Sequence, residues 1–251
     1  MRQTRRRKKT YSDRKRTRVH RRSQKGGERP ALPLRCQCSE ACRNPVRRGE
    51  VFCQYHKEHG CPIKSPLTGA EPKWSPGDYN NDKAIQHSHN CFAYAMNVRD
   101  KEKIRACRET NNCRFHVPGK TKGHPDFSGQ LGKTCGDVIG RTMADVPRSY
   151  LVDFPTQCKP GFSKIGVVVD EENDLHYYRQ DSNGWWSHKP GGRAVTNKDA
   201  VGAAIYRPDL ASRYYPKEDP TDTGLNYDSF CSYMCVPRDN SIIIGGRRRR
   251  L

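Results

Sequence analysis

The stretch Ser163-Lys164-Ile165-Gly166-Val167-Val168-Val169-Asp170-Glu171-Glu172-Asn173-Asp174-Leu175-His176-Tyr177-Tyr178-Arg179-Gln180-Asp181-Ser182-Asn183-Gly184-Trp185-Trp186-Ser187-His188 decides the fold. Three strand-forming runs, 163–170, 175–180 and 184–188, are separated by polar turns. The first turn, Asp170 to Asp174, has no apolar residue, and the second contains Asn183-Gly184, a strong hairpin dipeptide. The pattern predicts an antiparallel meander. Alternation along the middle strand places His176, Tyr178 and Gln180 on one face and Leu175, Tyr177 and Arg179 on the other.

Upstream lies His87-Ser88-His89-Asn90-Cys91-Phe92-Ala93-Tyr94-Ala95-Met96-Asn97. Here a polar turn gives way to a helix-forming run, and Cys91 sits at the junction. The spacing predicts a helix over Cys91–Cys107 with Phe92, Ala95, Met96 and Arg99 on its inner face, and a second helix over Gly136–Met143. Helices followed by an antiparallel meander give an α+β fold. Cysteine at a helix start followed by histidine on a strand is also the chain order of a papain-like core. Unpaired N–H groups at a helix start favour a thiolate, and a histidine in reach takes its proton. The expected catalytic pair is Cys91 and His176. A third polar group would fix the imidazole tautomer, with His188, Asp181 and Asn183 as candidates. An oxyanion hole would use the Cys91 N–H with the side chain of Asn90 or His89. The chemistry expected is hydrolysis of a peptide, isopeptide or other amide. The competing reading is a buried structural cysteine and an ordinary strand histidine.

The 251 residues carry a net charge of +20, concentrated at the ends. Residues 1–30 hold fourteen Lys/Arg against two acids, including Arg5, Arg6, Arg7, Lys8, Lys9, Arg14, Lys15 and Arg16. Arg247, Arg248, Arg249 and Arg250 add four more charges, leaving about +4 for the rest. Such runs neutralise phosphates or meet acidic protein surfaces, so both tails are expected to bind a polyanion, nucleic acid or protein. No apolar run reaches the roughly 20 residues of a membrane span. No apolar segment follows the first charges, so no secretory signal is expected. On that basis the twelve cysteines read as metal ligands, buried thiols or a nucleophile rather than as a disulfide framework.

Residues 31–62 contain Cys36-x-Cys38-x3-Cys42-x10-Cys53-x2-His56-x4-Cys61. A segment this short cannot bury a sufficient apolar core, so one structural Zn²⁺ is expected to fold it. Cys53 and His56 can reach one ion from a single turn. Cys42 and either Cys36 or Cys38 would complete the set, with Cys61 spare; the alternative is two or three disulfides. Residues 63–86 are rich in Pro, Gly and Asn and predict an extended strap. The main domain is expected over residues 87–240, with an Arg-rich tail over 241–251. Within it, Cys107, Cys113, His116 and His124 have loose spacing for a second metal. Trp185-Trp186 serves as core or as a substrate wall, and Cys231 and Cys235 read as buried apolar residues of a closing segment.

The motifs around Ser88–Ala95, Asp174–Gly191 and Asn226–Cys231 resemble an uncharacterised Cys-His family of large DNA viruses of algae and amoebae, with bacterial relatives. That family is similar to papain-like and NlpC/P60-like hydrolases, and the resemblance covers about residues 85–238. The nucleophile signature Asp-Cys-Ser-Gly of the NlpC/P60 enzymes is missing here. The resemblance implies a virion-associated cysteine hydrolase. The alternative is a non-catalytic minor capsid or core protein whose basic tails hold DNA or neighbouring capsid proteins. Either would reside in the virion, and in host cytoplasm or nucleus during assembly.

Overall fold

A computed structural model describes residues 34–127, 133–218 and 224–239. The basic residues of 1–30 and Arg247–Arg250 lie outside the described residues. The fold is α+β. Strands β2 (Phe162–Asp170), β3 (Asp174–Gln180) and β4 (Trp186–His188) form the antiparallel meander. Val168 lies opposite His176, and Tyr178 opposite His188. On the far side of β2, strand β7 (Ser229–Pro237) inserts next to it, followed by β1 (Tyr150–Val152), giving the order β1-β7-β2-β3-β4. A separate two-stranded ribbon pairs β5 (Tyr214–Tyr215) with β6 (Leu225–Asn226).

Both faces of the sheet are covered, which explains why Val167-Val168-Val169 is uninterruptedly apolar. One face presents Ile165, Val167, Val169, Leu175, Tyr177, Met234 and Val236 to Phe92, Ala95, Met96 and Val138 of two helices. The other carries Val168, Tyr178, Trp186 and Tyr233 under Phe154, Ile205, Ala211 and Tyr227 from loops and strand ends. Each fully buried side chain of this size contributes roughly 1.5–3 kcal/mol, so the two layers supply most of the drive to fold.

The expected helix over Cys91–Cys107 is broken. Helix α4 covers only Cys91–Ala95, and α5 (Lys101–Thr110) starts afresh. Asn97 adopts a left-handed φ of 57°, which its short polar side chain tolerates. Asp100 then caps α5 by accepting from the Glu102 and Lys103 N–H groups. The other helix of this layer, α6, spans Cys135–Asp145 and is capped by Thr134. The strap over 63–86 is extended only in part. It contains α2 (Gly77–Asn80) and α3 (Lys83–Ser88), the latter nucleated by the Asp82 side chain accepting from Ala84 and Ile85. Its extended portion is tied to β3, where the Ser65 hydroxyl and carbonyl meet the Gln180 side chain at 3.0 Å each.

The cysteine-rich knot, with helix α1 (Gln54–His59), packs into the same compact unit as the sheet. Gln37 Oε1 accepts from the backbone N–H groups of Tyr206 and Arg207, and Phe52 packs edge-on against Tyr206 at 4.9 Å.

The cysteine reading needs its largest correction here. Eight of the twelve cysteines are paired, as Cys38–Cys61, Cys107–Cys113, Cys135–Cys231 and Cys158–Cys235. The fold brings each pair to a Cα separation of 4.3–5.7 Å, within bridging reach. The pairs are separated by 6 to 96 residues in sequence, so spacing carries no signal for them. Cys107 and Cys113 are thus removed as second-site ligands, and Cys231 and Cys235 are covalent anchors of β7 rather than plain apolar residues.

Candidate metal centre and the cysteine–histidine region

The turn before α1 and the helix itself place Cys53 and His56 on one side, the geometry that CxxH spacing requires. Cys36 and Cys42 reach the same point from the preceding loops. The four ligand atoms lie within 4.8 Å of one another. Cys36 Sγ and Cys53 Sγ stand 3.2 and 3.3 Å from His56 Nδ1, and Cys42 Sγ stands 3.7 Å from both Cys53 Sγ and His56 Nδ1. A tetrahedral site with metal–sulfur bonds of about 2.3 Å and metal–nitrogen bonds of about 2.0 Å has edges of about 3.8 and 3.5 Å. The cluster therefore could hold a metal ion. Cys38 and Cys61 do not belong to it, because they bond to each other. Cys36, not Cys38, completes the set. Two donors steady the sulfurs: the Cys53 N–H points at Cys36 Sγ at 3.4 Å, and Asn44 Nδ2 at Cys53 Sγ at 3.7 Å. Asn44 carried no signal in the sequence, since an amide donor to a thiolate has no fixed spacing.

Cys91 opens α4 as the sequence indicates, but the environment differs from that of a nucleophile. The residue is 5% exposed and packs with Leu175 and Tyr177 on the helix-bearing face of the sheet. Its sulfur contacts the Leu175 carbonyl oxygen at 3.9 Å. Burial, followed by the nearby Asp174 carboxylate, pushes the thiol up to about 12. His176 points the other way, as alternation along β3 dictates. Its ring contacts Tyr178, His188 and Tyr227. No hydrogen bond among the described residues joins Cys91 to His176.

His188, which lies on β4 opposite Tyr178, reaches His176 diagonally: Nδ1 of His188 lies 2.7 Å from Nε2 of His176. Burial holds both rings neutral, bringing His188 down to about 4 and His176 well below its ordinary range. His188 Nε2 lies 2.8 Å from the Lys198 carbonyl, which can only accept, so that nitrogen carries the proton. His188 Nδ1 then accepts from His176 Nε2–H. The pair lines a cleft of about 320 Å³ together with Asp174, Tyr215 and Tyr227. Tyr227 donates its hydroxyl to Asp174 at 2.7 Å.

The other expected catalytic groups have structural duties. Asp181 is buried in an ion pair, accepting from Arg179 Nε at 3.0 Å and Nη2 at 2.9 Å, and does not approach the histidines. Asn90 caps α4 by accepting from the Ala93 N–H and donates to the His116 carbonyl, so its side chain is spent locally. His89 Nε2 accepts from the Asp100 N–H, joining the two helices across the break. Trp186 is fully buried core, whereas Trp185 packs on Phe52 and Tyr206 of the knot junction.

Among the described residues no helix is long and apolar enough to cross a membrane. No family model matches the chain, and no solved structure does. Over 142 residues the chain is 32% identical to insoluble matrix shell protein 1 of Ruditapes philippinarum, a match covering 56% of this chain and 81% of that one. At that identity and coverage, the chain belongs to the family of insoluble matrix shell protein 1.

Proposed function

We propose that the protein is a non-catalytic structural component of an extracellular insoluble matrix, locked by four disulfides and by one structural zinc ion in the knot. The observation that carries this reading is the covalent frame: eight paired cysteines brace the knot, close the end of α5, and fasten α6 and the Cys158 loop to β7 in a member of a shell-matrix family. Disulfides in such number persist in oxidising compartments. Zinc is the metal argued for because three thiolates and one imidazole at tetrahedral edge lengths suit a borderline-soft ion with no other geometric demand. In this setting the basic tails offer contacts to acidic polymers or to acidic faces of neighbouring matrix proteins.

The hydrolase reading, with its papain-like core and virion setting, needs an accessible low-pKa thiol beside the histidine. Cys91 is buried and its thiol is pushed up to about 12, so the non-catalytic alternative is the one carried forward, in a matrix rather than a capsid.

Fractionation of the source tissue tests the role. The protein should remain with the matrix through salt and detergent and leave only with denaturant and reductant. Recovery from a cytosolic fraction with all thiols reduced would overturn it. Elemental analysis of purified protein should find one zinc per chain, lost in Cys53→Ala and His56→Ala.

A further inference from the structure

The three sulfurs of the knot cluster are unequal, which a purely structural ion does not require. Cys36 and Cys53 are 0% and 1% exposed, whereas Cys42 is only partly buried, with exposed Ala41 and Arg43 on either side. The Cys53 N–H is directed at Cys36 Sγ and the Asn44 amide at Cys53 Sγ, but the described residues direct no amide at Cys42 Sγ. A thiolate that is open to solvent and free of N–H donors is the better nucleophile toward a disulfide. Its sulfur lies 3.7 Å from Cys53 Sγ, so a bond of about 2.05 Å needs the two to close by roughly 1.7 Å. Cys36 is the fixed member of the set. The two residues after it are tied down, Gln37 by its N–H to the Val51 carbonyl and its side chain to the Ala204 carbonyl, and Cys38 by its bridge to Cys61.

We propose that the knot is a redox latch, in which a small disulfide oxidant joins Cys42 to Cys53 as a fifth disulfide and expels the metal ion. The inference rests on zinc being the ion of the knot. The Cys42 thiolate attacks one sulfur of the oxidant, whose S–S bond breaks and releases a first thiolate. The Cys53 thiolate then attacks Cys42 Sγ, forming the Cys42–Cys53 bond and releasing the second thiolate. Two electrons pass from the protein to the oxidant, and its two thiolates take protons from solvent. Zinc, left with only Cys36 and His56, dissociates as Zn²⁺, and Cys36 takes a proton from solvent. The knot keeps its place after the exchange. The new bond ties the same two segments that the ion tied, and the Cys38–Cys61 bridge, Gln37 and Phe52 still fasten the knot to itself and to the Tyr206 region.

The test uses full-length protein purified with its ion and its native bridges. Oxidised glutathione is added while a chromogenic chelator reads released zinc. Free thiols are then alkylated in denaturant, and the unreduced peptides are mapped by mass spectrometry. Each zinc released should be matched by two reduced glutathiones and one Cys42–Cys53 linkage, with Cys36 and Cys91 recovered as alkylated thiols. Cys42→Ser should slow release by roughly tenfold or more, because the remaining sulfurs are buried. Cys36→Ser should still form the Cys42–Cys53 bond, and the wild-type map carries the test if Cys42→Ser fails to fold. Zinc retained at millimolar oxidised glutathione, a lasting glutathione adduct on Cys42, or a bridge that includes Cys36 would overturn the latch. Protein without zinc at the outset would overturn the zinc site and the expulsion step with it, and the same peptide map then decides the Cys42–Cys53 pairing.

Discussion

Removal of the Cys135–Cys231 bridge probes the covalent frame most directly. The bridge spans 96 residues, and an isolated loop of that length is worth about 4.7 kcal/mol through lost unfolded-state entropy. It is not isolated. Cys158–Cys235 spans 77 residues and interlocks with it. With that second bridge intact, Cys135 is already joined to Cys231 by the path through Cys158 and Cys235, about 28 residues. The first bridge then adds only about 3.6 kcal/mol. The same shortened path applies when the second bridge is removed and the first kept. Removing both costs about 8 kcal/mol, more than the two single losses together. Urea unfolding followed by tryptophan fluorescence would compare three variants: Cys135→Ala with Cys231→Ala, Cys158→Ala with Cys235→Ala, and all four changes at once. A domain of this size holds about 5–15 kcal/mol in total, so the fourfold variant should be barely folded or unfolded. Two results would refute the reasoning: a single-bridge loss below about 1 kcal/mol, or a fourfold variant no weaker than either pair.

Asp181→Ala strips the partner from Arg179, which is 2% exposed; the unpaired buried charge should cost about 3–5 kcal/mol in urea unfolding, and an unchanged midpoint would sink the ion-pair role. Cys91, pushed up to about 12 by burial, should resist iodoacetamide in native protein near neutral pH and react only after unfolding. Rapid native labelling there, slowed by His176→Ala, would restore the nucleophile reading. Burial holds His116 down to about 3 when folded, below its unfolded value of about 6.5. Above about pH 6.5 neither state binds that proton. As pH falls toward 3 only the unfolded state takes it, so stability declines by about 1.4 kcal/mol per pH unit. His116→Phe should flatten the stability profile by that slope between about pH 6 and 4, and parallel profiles for the two proteins would count against the assignment.

The sequence determined the meander by itself. Two polar turns bound three β-rich runs, and period-2 alternation fixed that His176 and Tyr177 face opposite ways. The same local logic placed Cys91 at a helix start and gathered Cys53 and His56 on one turn, because a few residues of backbone geometry set each of these. What local pattern could not supply was distance between remote segments. Whether Cys36 or Cys38 joins the cluster depends on which one the fold brings to Cys61, and β7 reaches its place beside β2 only after some sixty residues of intervening chain. The side of the sheet on which α4 docks is likewise a packing outcome. It puts Cys91 among Leu175 and Tyr177, while His176 meets His188. Two residues that share a motif order therefore have different partners, the sulfur among apolar side chains and the imidazole on His188, because chain order records sequence while chemistry needs ångströms.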